Sequence, residues 1–396
     1  MTLLARIPHT PVSAPIYLDH NSTTRPLPEV IDLVARTMAE TWANASSAHW
    51  LGGEARAVLE VARDGICELV RGGYPDGVRF TSGGTEANNT VLLGGEPASA
   101  WRSVITCAVE HASVLRPAEA LARRGSRLRV LPVGSEGLID PDELRRAAAE
   151  APPGPVLVSL QWANSETGVI QPVSDLVVAL RSVRPDAFVH SDAAQAVGRM
   201  PVDLAATGVD AVAFSGHKIN GPHGTGALVL ADPDEDRISP LLLGGGQEHG
   251  LRSGTHNLPG IAGLGLAAAM RARTLDHAVT YMRSVRDAFE EELASTVPEA
   301  MVNGGSAPRL PNTSSVQFPG RDGMELVARL DALGVACSQG SACSSRKPEP
   351  SHVLRAMGLS EADAYSSVRF SFSTLNTTEE AQRAARVVAQ ALGKHT

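Results

Sequence analysis

The chain has three lysines against 32 arginines, so each lysine is a candidate for chemistry that arginine cannot perform. Lys347 lies in a polar loop and Lys394 in the C-terminal tail, whereas Lys218 follows a short apolar run. A desolvated lysine can lose its proton and form a Schiff base, and an arginine cannot. The pattern predicts Lys218 as a reactive amine with Ser215 and His217 beside it. An ordinary surface lysine in a turn is the alternative.

A glycine-rich turn in the stretch Phe80-Thr-Ser-Gly-Gly-Thr-Glu-Ala-Asn-Asn could bind an anion. The stretch ends an apolar strand and opens a helix, so free backbone amides meet there, Gly84 permits close approach and Thr85 adds a hydroxyl. It is neither a Walker A sequence nor a GxGxxG fingerprint. A tight strand–helix turn is the alternative, but beside a Schiff-base lysine one cofactor phosphate is the better explanation.

Further polar residues follow other apolar runs. Asp192 ends the run that begins at Phe188, and a buried carboxylate needs a partner such as the ring nitrogen of pyridoxal phosphate; an N-cap is the alternative. His111 could stack on that ring or be a hydrogen-bonded loop histidine. Asn164 offers an amide to a ring hydroxyl or to substrate. Arg369, on an alternating strand, could bind a substrate carboxylate bidentately or be a surface arginine.

The four cysteines do not form a disulfide framework in a chain of this length, and none lies in a CxxC pair. Cys67, Cys107 and Cys337 lie in apolar patterns and are predicted to be small buried hydrophobic residues. Cys343 differs, because the stretch from Ser338 to Pro348 is small and polar. A thiol exposed in such a loop is expected to have a chemical role.

The apolar runs alternate with helical patterns and predict an α/β protein with a mostly parallel sheet, whose ligands bind beyond the carboxyl ends of the strands. The predicted strands are Val78–Thr81, Val104–Cys107, Leu128–Leu131, Val156–Leu160, Phe188–Ser191, Val212–Phe214, Gly226–Leu230, Ser314–Phe318 and Val368–Phe372. The predicted helices are Pro28–Thr41, Glu54–Val70, Pro141–Ala149, Val173–Ser182, Pro259–Arg273, Asp276–Ser295, Gly323–Ala332 and one at the C-terminus.

Composition limits the possible partners. The net charge is −8 and no basic tract is present, so direct nucleic-acid binding is not expected. No apolar run approaches the length of a membrane span, and the N-terminal residues do not form a convincing signal or transit peptide. We therefore expect a soluble cytoplasmic protein that does not bind membranes, and we predict no metal site.

At this point several motifs together resemble the cysteine desulfurases, which belong to the class V aminotransferase-like group of pyridoxal phosphate (PLP) enzymes. The resemblance runs in order from about Tyr17 to the C-terminus, and its lysine and cysteine motifs are highly specific. The motifs are Thr81-Ser-Gly-Gly-Thr85-Glu-Ala-Asn-Asn, Glu110-His111, Asn164-Ser-Glu-Thr-Gly168, Asp192-Ala-Ala-Gln195, Ser215-Gly-His-Lys218, Gly244-Gly-Gly-Gln-Glu, Arg252-Ser-Gly-Thr255 and Gly340-Ser-Ala-Cys343.

The resemblance implies the fold-type I architecture of PLP enzymes: a mostly parallel sheet with helices on both faces, plus a smaller C-terminal α+β domain. We expect an N-terminal arm at 1–16, a PLP-binding domain at 17–260, and linking helices with the small domain at 261–396. The small domain is expected to pack with the arm.

The implied roles cover the whole reaction. Lys218 holds PLP and removes the α-proton of L-cysteine, and Cys343 accepts the sulfur as a persulfide, leaving alanine. The other implied contacts are Asp192 to the ring nitrogen, His111 stacked on the ring, Asn164 and Gln195 at the ring hydroxyl, Gly84, Thr85, Ser215 and His217 at the phosphate, Thr255 at the phosphate of the neighbouring subunit of a homodimer, and Arg369 at the substrate carboxylate.

The form Ser-Ala-Cys343-Ser-Ser resembles the branch with a long cysteine loop, as in iron–sulfur cluster assembly, and implies a sulfur-acceptor protein as partner. Departures such as Ala45 after Asn44, and His249 and His256 at positions often held by arginine and glutamate, bear on oligomer contacts and partner choice. A selenocysteine lyase, or a non-catalytic scaffold on the same fold, are the alternatives.

Overall fold

A computed structural model describes residues 15–94, 101–340 and 349–394. The strands are β1 Ile16–Tyr17, β2 Val70–Arg71, β3 Val78–Thr81, β4 Ser103–Cys107, β5 Arg127–Leu131, β6 Val156–Ser159, β7 Phe188–Asp192, β8 Val202–Asp203, β9 Ala211–Ser215, β10 Gly226–Leu230, β11 Met301–Val302, β12 Thr313–Gln317, β13 Val335–Ala336 and β14 Ser367–Ser371. The helices are α1 Pro28–Glu40, α2 Trp50–Leu69, α3 Gly84–Leu93, α4 Ala112–Arg123, α5 Pro141–Ala149, α6 Val173–Arg181, α7 Leu204–Thr207, α8 Leu258–Thr296, α9 Gly323–Ala332, α10 His352–Ala356, α11 Glu361–Tyr365 and α12 Thr378–Ala391.

The central sheet has seven strands in the order β3-β10-β9-β7-β6-β4-β5. Strands β9, β7, β6, β4 and β5 pair in parallel. Only β10 runs against its neighbours β3 and β9 within this sheet, so β3 points the same way as the parallel set. The predicted α/β fold with a mostly parallel sheet is confirmed, and every strand predicted for it is present to within one residue at each end.

Helices cover both faces of the sheet because its central strands are apolar on both sides. In β9, Val212 and Phe214 join the core under α2, α5, α6 and the first half of α8. Ala211 and Ala213 face the opposite way, into a smaller core with α3 and α4. The alternation along one strand therefore assigns each residue to a layer, and it leaves only the strand ends available for chemistry.

The two helices predicted at Pro259–Arg273 and Asp276–Ser295 are wrong, because α8 is a single helix of 39 residues. Only Thr274 and Leu275 separate the two predicted ranges. Neither residue is glycine or proline, so nothing between the two ranges terminates the helix. Arg271 is buried and donates to Asn220 Oδ1 at 2.9 Å, which keeps the junction packed against the large core.

The C-terminal part forms a smaller unit with its own hydrophobic core. Antiparallel strands β11, β12 and β14 pack with α9, α12 and the second half of α8. Ile16 and Leu18 belong to this core, and β1 pairs in parallel with β13, so residues 16–18 pack with the small α+β unit. The predicted packing of the whole arm at 1–16 stays a prediction, because most of that arm lies outside the described residues. The domain boundaries at residues 16 and 260 stay predictions.

Within the described ranges, none of the helices combines the length and the apolar character that crossing a membrane requires.

Candidate active site

Five strands of the central sheet, β3, β4, β6, β7 and β9, end at the same edge because they run in the same direction. The loops that follow them enclose a cavity of about 230 Å³. The cavity is lined by Gly84, Thr85, Asn88, His111, Ser113, Gln161, Ala163, Ser165, Asp192, Ala194, Gln195, Ser215, His217 and Lys218. Eight of the predicted site residues are in this lining, which brings together positions 134 residues apart in sequence, from Gly84 to Lys218.

The glycine-rich turn is pressed against the end of β9. The Gly84 N–H donates to Ser215 Oγ at 2.7 Å, and a Cβ on Gly84 would lie 3.0 Å from that oxygen. A Cβ on Gly226 would lie 2.6 Å from the Gly83 Cα, so β10 also needs a glycine to let the turn approach. The first turn of α3 thus presents its backbone amides at the cavity with Thr85 beside them, an arrangement suited to an anion.

Lys218 lies in a short 3-10 turn directly after β9, with its side chain in the cavity. Its Nζ donates to the carbonyls of Asn21 and, at 2.6 Å, of Ser22. Burial, followed by the charges of Arg199 and Arg369, lowers the pKa of Lys218 from 10.5 to about 7. The amine therefore exchanges its proton near neutral pH, which a Schiff-base lysine requires.

His217 is held by the N-terminal turn. Its Nδ1 is 3.1 Å from Thr23 Oγ1, and its ring stacks on His223 with centroids 5.3 Å apart. Burial and the neighbouring Lys218 lower the pKa of His217 to about 4. The ring is neutral at physiological pH, so it can contribute a hydrogen bond to an anion without adding charge.

Asp192 projects from the last position of β7 into the cavity. Its Oδ2 accepts a hydrogen bond from Asn88 Nδ2 at 2.8 Å, and its Oδ1 accepts one from the Ala194 N–H at 3.0 Å. Both donors are neutral. A cationic ring nitrogen would therefore give this nearly buried carboxylate the charged partner that these contacts do not supply.

His111 is the N-cap of α4, at the end of the loop that follows β4. Its Nδ1 accepts from the Ser113 N–H at 3.1 Å and lies 2.7 Å from Ser113 Oγ. The preceding Glu110 is fully buried, and burial with the nearby Asp192 raises its pKa well above the usual value. Glu110 Oε1 accepts the Gln161 N–H at 2.5 Å, so it joins the β4 and β6 ends that carry His111 and Gln161.

Asn164 is buried next to the cavity but is not in its lining. Its Oδ1 accepts the backbone N–H groups of Glu166 and Thr167 at 2.8 and 2.9 Å, and its Nδ2 lies 3.2 Å from Gln161 Oε1. Gln161 is in the lining, and its buried Nε2 has no hydrogen-bond partner. The amide that faces the cavity in this structure is therefore that of Gln161, and the role of Asn164 stays a prediction.

Arg369, on β14, is buried at the junction of the two units, just outside the cavity lining. Its Nη2 contacts Asp19 Oδ1 at 2.6 Å and Ser22 Oγ at 2.8 Å, and its Nη1 donates to the carbonyl of Ser165, a lining residue, at 3.0 Å. The buried Nε has no partner. The guanidinium thus has donor capacity beside the cavity, held in place by the N-terminal turn.

Thr255 is exposed and lies outside the cavity lining of its own chain. Its loop is fixed at Glu248, whose carboxylate accepts from Arg63 at 2.8 Å, from His256 Nε2 at 2.7 Å and from the Phe80 N–H at 2.7 Å. Burial alone would raise the pKa of Glu248, but these three contacts together lower it. The loop is thereby attached to β3, the strand that leads into the glycine-rich turn.

Cys343, the predicted nucleophile, lies outside the described residues. The three described cysteines are free thiols, and none of them is in the cavity lining. Burial raises the pKa of Cys67 to about 11 and that of Cys337 to about 12, and it raises the pKa of Cys107 well above its usual value. Cys107 is fully buried, as its apolar pattern predicts, whereas Cys67 and Cys337 are only partly buried.

Sequence reasoning missed the side chains that hold the main site residues. Asn88 lies one helical turn after Gly84, and that i, i+4 spacing could have placed it on the cavity face of α3. Asp19 and Ser22 lie in the polar turn after β1, and no local signal connects them with Arg369, 350 residues away from Asp19 in the chain. Only the folded arrangement reveals these contacts.

The described residues fit PLP. The α3 amides, Ser215 and the neutral His217 suit its phosphate, Asp192 suits its ring nitrogen, and the unpartnered Gln161 Nε2 suits a ring oxygen. A neutral amine at Lys218 completes the set of functional groups.

Comparisons with known proteins give the same assignment. Residues 16–384 match the family described as Aminotransferase class-V. The chain is 41% identical to a cysteine desulfurase of Sinorhizobium fredii over 376 residues, covering 94% of this chain and 95% of that protein. It is 37% identical to the cysteine desulfurase NifS of Azotobacter vinelandii over 378 residues, covering 95% and 92%. A solved NifS-like protein superimposes with a TM-score of 0.87 at 33% identity, covering 96% of this chain and 100% of that one.

The chain therefore belongs to the aminotransferase class-V family, whose fold and site it shares. Within that family its relatives are cysteine desulfurases. The predicted activity, a PLP-dependent L-cysteine desulfurase that transfers sulfur, is confirmed.

Proposed function

We propose that the cavity at the carboxyl edge of the sheet binds L-cysteine beside PLP and that Cys343 receives the sulfur. When bound, PLP supplies an electron sink for the substrate carbons. The proposed contacts are Lys218 as covalent attachment point and base, Asp192 at the ring nitrogen, His111 on the ring face, Asn164 and Gln195 at the ring hydroxyl, Gly84, Thr85, Ser215 and His217 at the phosphate, and Arg369 at the substrate carboxylate.

The proposal rests mainly on the position of Lys218 in the cavity and on its lowered pKa. Its Nζ lies in the same cavity as Asp192 and the α3 amides, and its pKa is lowered to about 7. An amine that is about half neutral at pH 7 can attach the cofactor, and once released it can accept the α-proton of the substrate. Arg369, fixed by Asp19 and Ser165, would orient the substrate carboxylate at the rim.

The sulfur step needs a thiolate, and the described cysteines are poorly suited to provide one. Each has a raised pKa, and none lies in the cavity lining. We therefore assign the step to Cys343: its Sγ attacks the substrate sulfur, an S–S bond forms, and the C–S bond breaks with its electron pair left on the substrate carbon. Protonation of that carbon gives alanine, and the sulfur stays on Cys343 as a persulfide for an acceptor protein.

The test compares Cys343→Ser with Cys337→Ser in the PLP-loaded enzyme. Cys343→Ser is expected to keep the cofactor absorbance and to bind cysteine, yet to release no sulfide with dithiothreitol and to carry no persulfide by mass spectrometry. Cys337→Ser, which changes a partly buried thiol of high pKa, should retain activity. Wild-type sulfide release by Cys343→Ser would refute the assignment.

A homodimer would complete the phosphate site. Thr255 is exposed on a loop fixed to β3 and stays outside its own cavity, as expected of a side chain that serves the neighbouring subunit. Large apolar side chains such as Met38, Trp42, Trp50 and Leu243 are exposed on the single chain, and association would bury surface of this kind. These observations support two subunits that share their active sites.

The cellular setting follows from the proposed thiol chemistry. A reducing compartment keeps cysteine thiols free, which supports a cytoplasmic location for the proposed reaction. The acceptor is proposed to be a protein, with iron–sulfur cluster assembly as the first candidate pathway because of the Ser-Ala-Cys343-Ser-Ser form.

A further inference from the structure

Glu166 is a buried carboxylate for which the proposed reaction has no use. It follows Ser165, whose carbonyl accepts from Arg369 at 3.0 Å, and its own backbone N–H donates to Asn164 Oδ1 at 2.8 Å. Only 6% of Glu166 is exposed. The backbone of this residue is therefore fixed at the rim of the cavity, and its side chain must point away from water.

The carboxyl group of Glu166 lies between two points of the chain that are distant from it in sequence. Ser351 Oγ donates to Glu166 Oε2 at 2.5 Å. On the other side is Gly340, where an added Cβ would lie 2.9 Å from the same oxygen and 3.3 Å from Cδ. Gly340 also has a φ of +88°, so both space and conformation require glycine there. Residues 340 and 351 bracket the stretch that carries Cys343.

Further contacts attach the same two points to the active-site strands. Ser338 and Arg369 exchange backbone hydrogen bonds of 3.2 and 2.6 Å, so the chain before Gly340 runs along β14. After Ser351, His352 Nε2 lies 2.9 Å from the carbonyl oxygen of Glu110, at the end of the β4 loop. Glu166 is thus the side chain at which the substrate side of the cavity meets both ends of the cysteine stretch.

We propose that Glu166, through its hydrogen bond from Ser351, is a positioning residue for sulfur transfer: it fixes Ser351 and packs against Gly340, the described points on either side of the stretch that carries Cys343. The inference rests on the proposed role of Cys343. Substrate binding and cofactor binding use other side chains, so Glu166 should affect the transfer step selectively. A displacement of about 1 Å in a reacting group can cost about 100-fold in rate, which makes such a residue matter.

Glutamine is the conservative replacement. Burial raises the pKa of Glu166 against the opposing effect of the Ser351 hydrogen bond, so a neutral side chain of the same shape is tolerated electrostatically. Glu166→Gln keeps an oxygen that can accept from Ser351, whereas Glu166→Ala removes it. The first variant should retain most of the activity that the second loses.

Ser351 supplies the second variant and a matched control. Ser351 Oγ also caps α10 by accepting the Leu354 N–H at 3.1 Å, so Ser351→Ala removes a helix cap as well. Ser360 caps the equally short α11 in the same way, accepting the Asp363 N–H at 3.1 Å, without any contact to Glu166. Ser360 Oγ also donates to Asp363 Oδ2 at 2.6 Å, so Ser360→Ala measures the loss of a cap together with one local side-chain contact, as Ser351→Ala does, but without a change at Glu166.

The experiment measures kcat and KM for L-cysteine, cofactor absorbance, and the single-turnover yield of persulfide on Cys343 by mass spectrometry. Glu166→Ala and Ser351→Ala are each expected to lower kcat and persulfide yield about tenfold or more, with KM and absorbance changed less than about twofold. The double variant should be no worse than the poorer single one, because both changes remove the same contact.

Three results would overturn the inference. They are a loss in Ser351→Ala no greater than in Ser360→Ala, additive losses in the double variant, or a failure of Glu166→Gln to recover activity. Full desulfurase activity in the Cys343→Ser variant would instead refute the proposed function. A failure of the inference about Glu166 can therefore be told apart from a failure of the proposed function.

Discussion

The lowered pKa of Lys218 makes a quantitative prediction about cofactor capture. With a pKa of about 7 in place of 10.5, about half of the amine is neutral at pH 7, against about 1 part in 3000 for an unperturbed lysine. Only the neutral amine can attack the aldehyde carbon. Because the neutral fraction grows as pH rises, the capture rate should increase through pH 7 and level off about one to two units above it.

A substitution at Arg199 should change the pKa of Lys218 and so test this prediction. Its charge is the second cause of the lowered pKa after burial, and its guanidinium contacts Gln195 Oε1 and the carbonyl of His20. Arg199→Gln removes that charge while Lys218 stays buried, so the midpoint of the pH profile should move upward and capture at pH 7 should slow. Arg329→Gln, which removes an exposed arginine of α9, should leave the midpoint in place.

The assay mixes cofactor-free enzyme with PLP and follows visible absorbance in a stopped-flow instrument between about pH 6 and pH 10. The same titration with N-acetyl-lysine amide corrects for ionisation of PLP itself, and Lys218→Ala reports attachment elsewhere. A wild-type rate that still climbs about tenfold per pH unit above pH 9 would show that Lys218 keeps its proton in the folded protein and would refute the reasoning.

Two further predictions concern the loop that carries Thr255. Glu248→Gln should lower the free energy of unfolding by about 3 kcal/mol in urea titrations, because Arg63 loses its buried carboxylate partner and keeps only the exposed Glu60 at 3.6 Å. Glu325→Gln removes one partner of an exposed i,i+4 pair and is a control expected to cost less than about 0.5 kcal/mol; equal losses would contradict the argument. Sedimentation of the PLP-loaded enzyme at assay concentration should give a dimer, and Thr255→Ala should stay dimeric while releasing PLP faster; a fully active monomer would exclude the cross-subunit role.

Six of the seven strands of the central sheet, all but the edge strand β5, are buried along their whole length, and this is why they could be predicted almost to the residue. A parallel strand covered on both faces appears as an uninterrupted apolar run, and the polar residue that ends it stands out. Asp192 was predicted in this way, and Lys218 from the scarcity of lysine in the chain together with its position just after such a run. The helices between the strands gave equally clear signals at Pro141–Ala149, where a proline begins the helix and Asp140 caps it.

The contacts that tune these groups could not be predicted, because they connect segments far apart in the chain. Arg199 shifts the pKa of Lys218, and Asp19 fixes Arg369, yet neither lies in a motif that a local pattern could recognise. The prediction for helix α8 was wrong for a related reason. The predicted break falls just after Arg271, and the burial of Arg271 against Asn220 in the folded protein shows that the helix continues past this point.

That unbroken helix has a consequence for how the protein withstands unfolding. At about 1.5 Å per residue its 39 residues extend about 58 Å, with Leu264 in the core beneath the sheet and Phe289 in the core of the C-terminal unit. Helical hydrogen bonds are cooperative, so neither core can open far without fraying a helix that the other holds. Free energy gained when PLP binds beside the sheet should therefore also protect the C-terminal unit, and we expect the two cores to melt together.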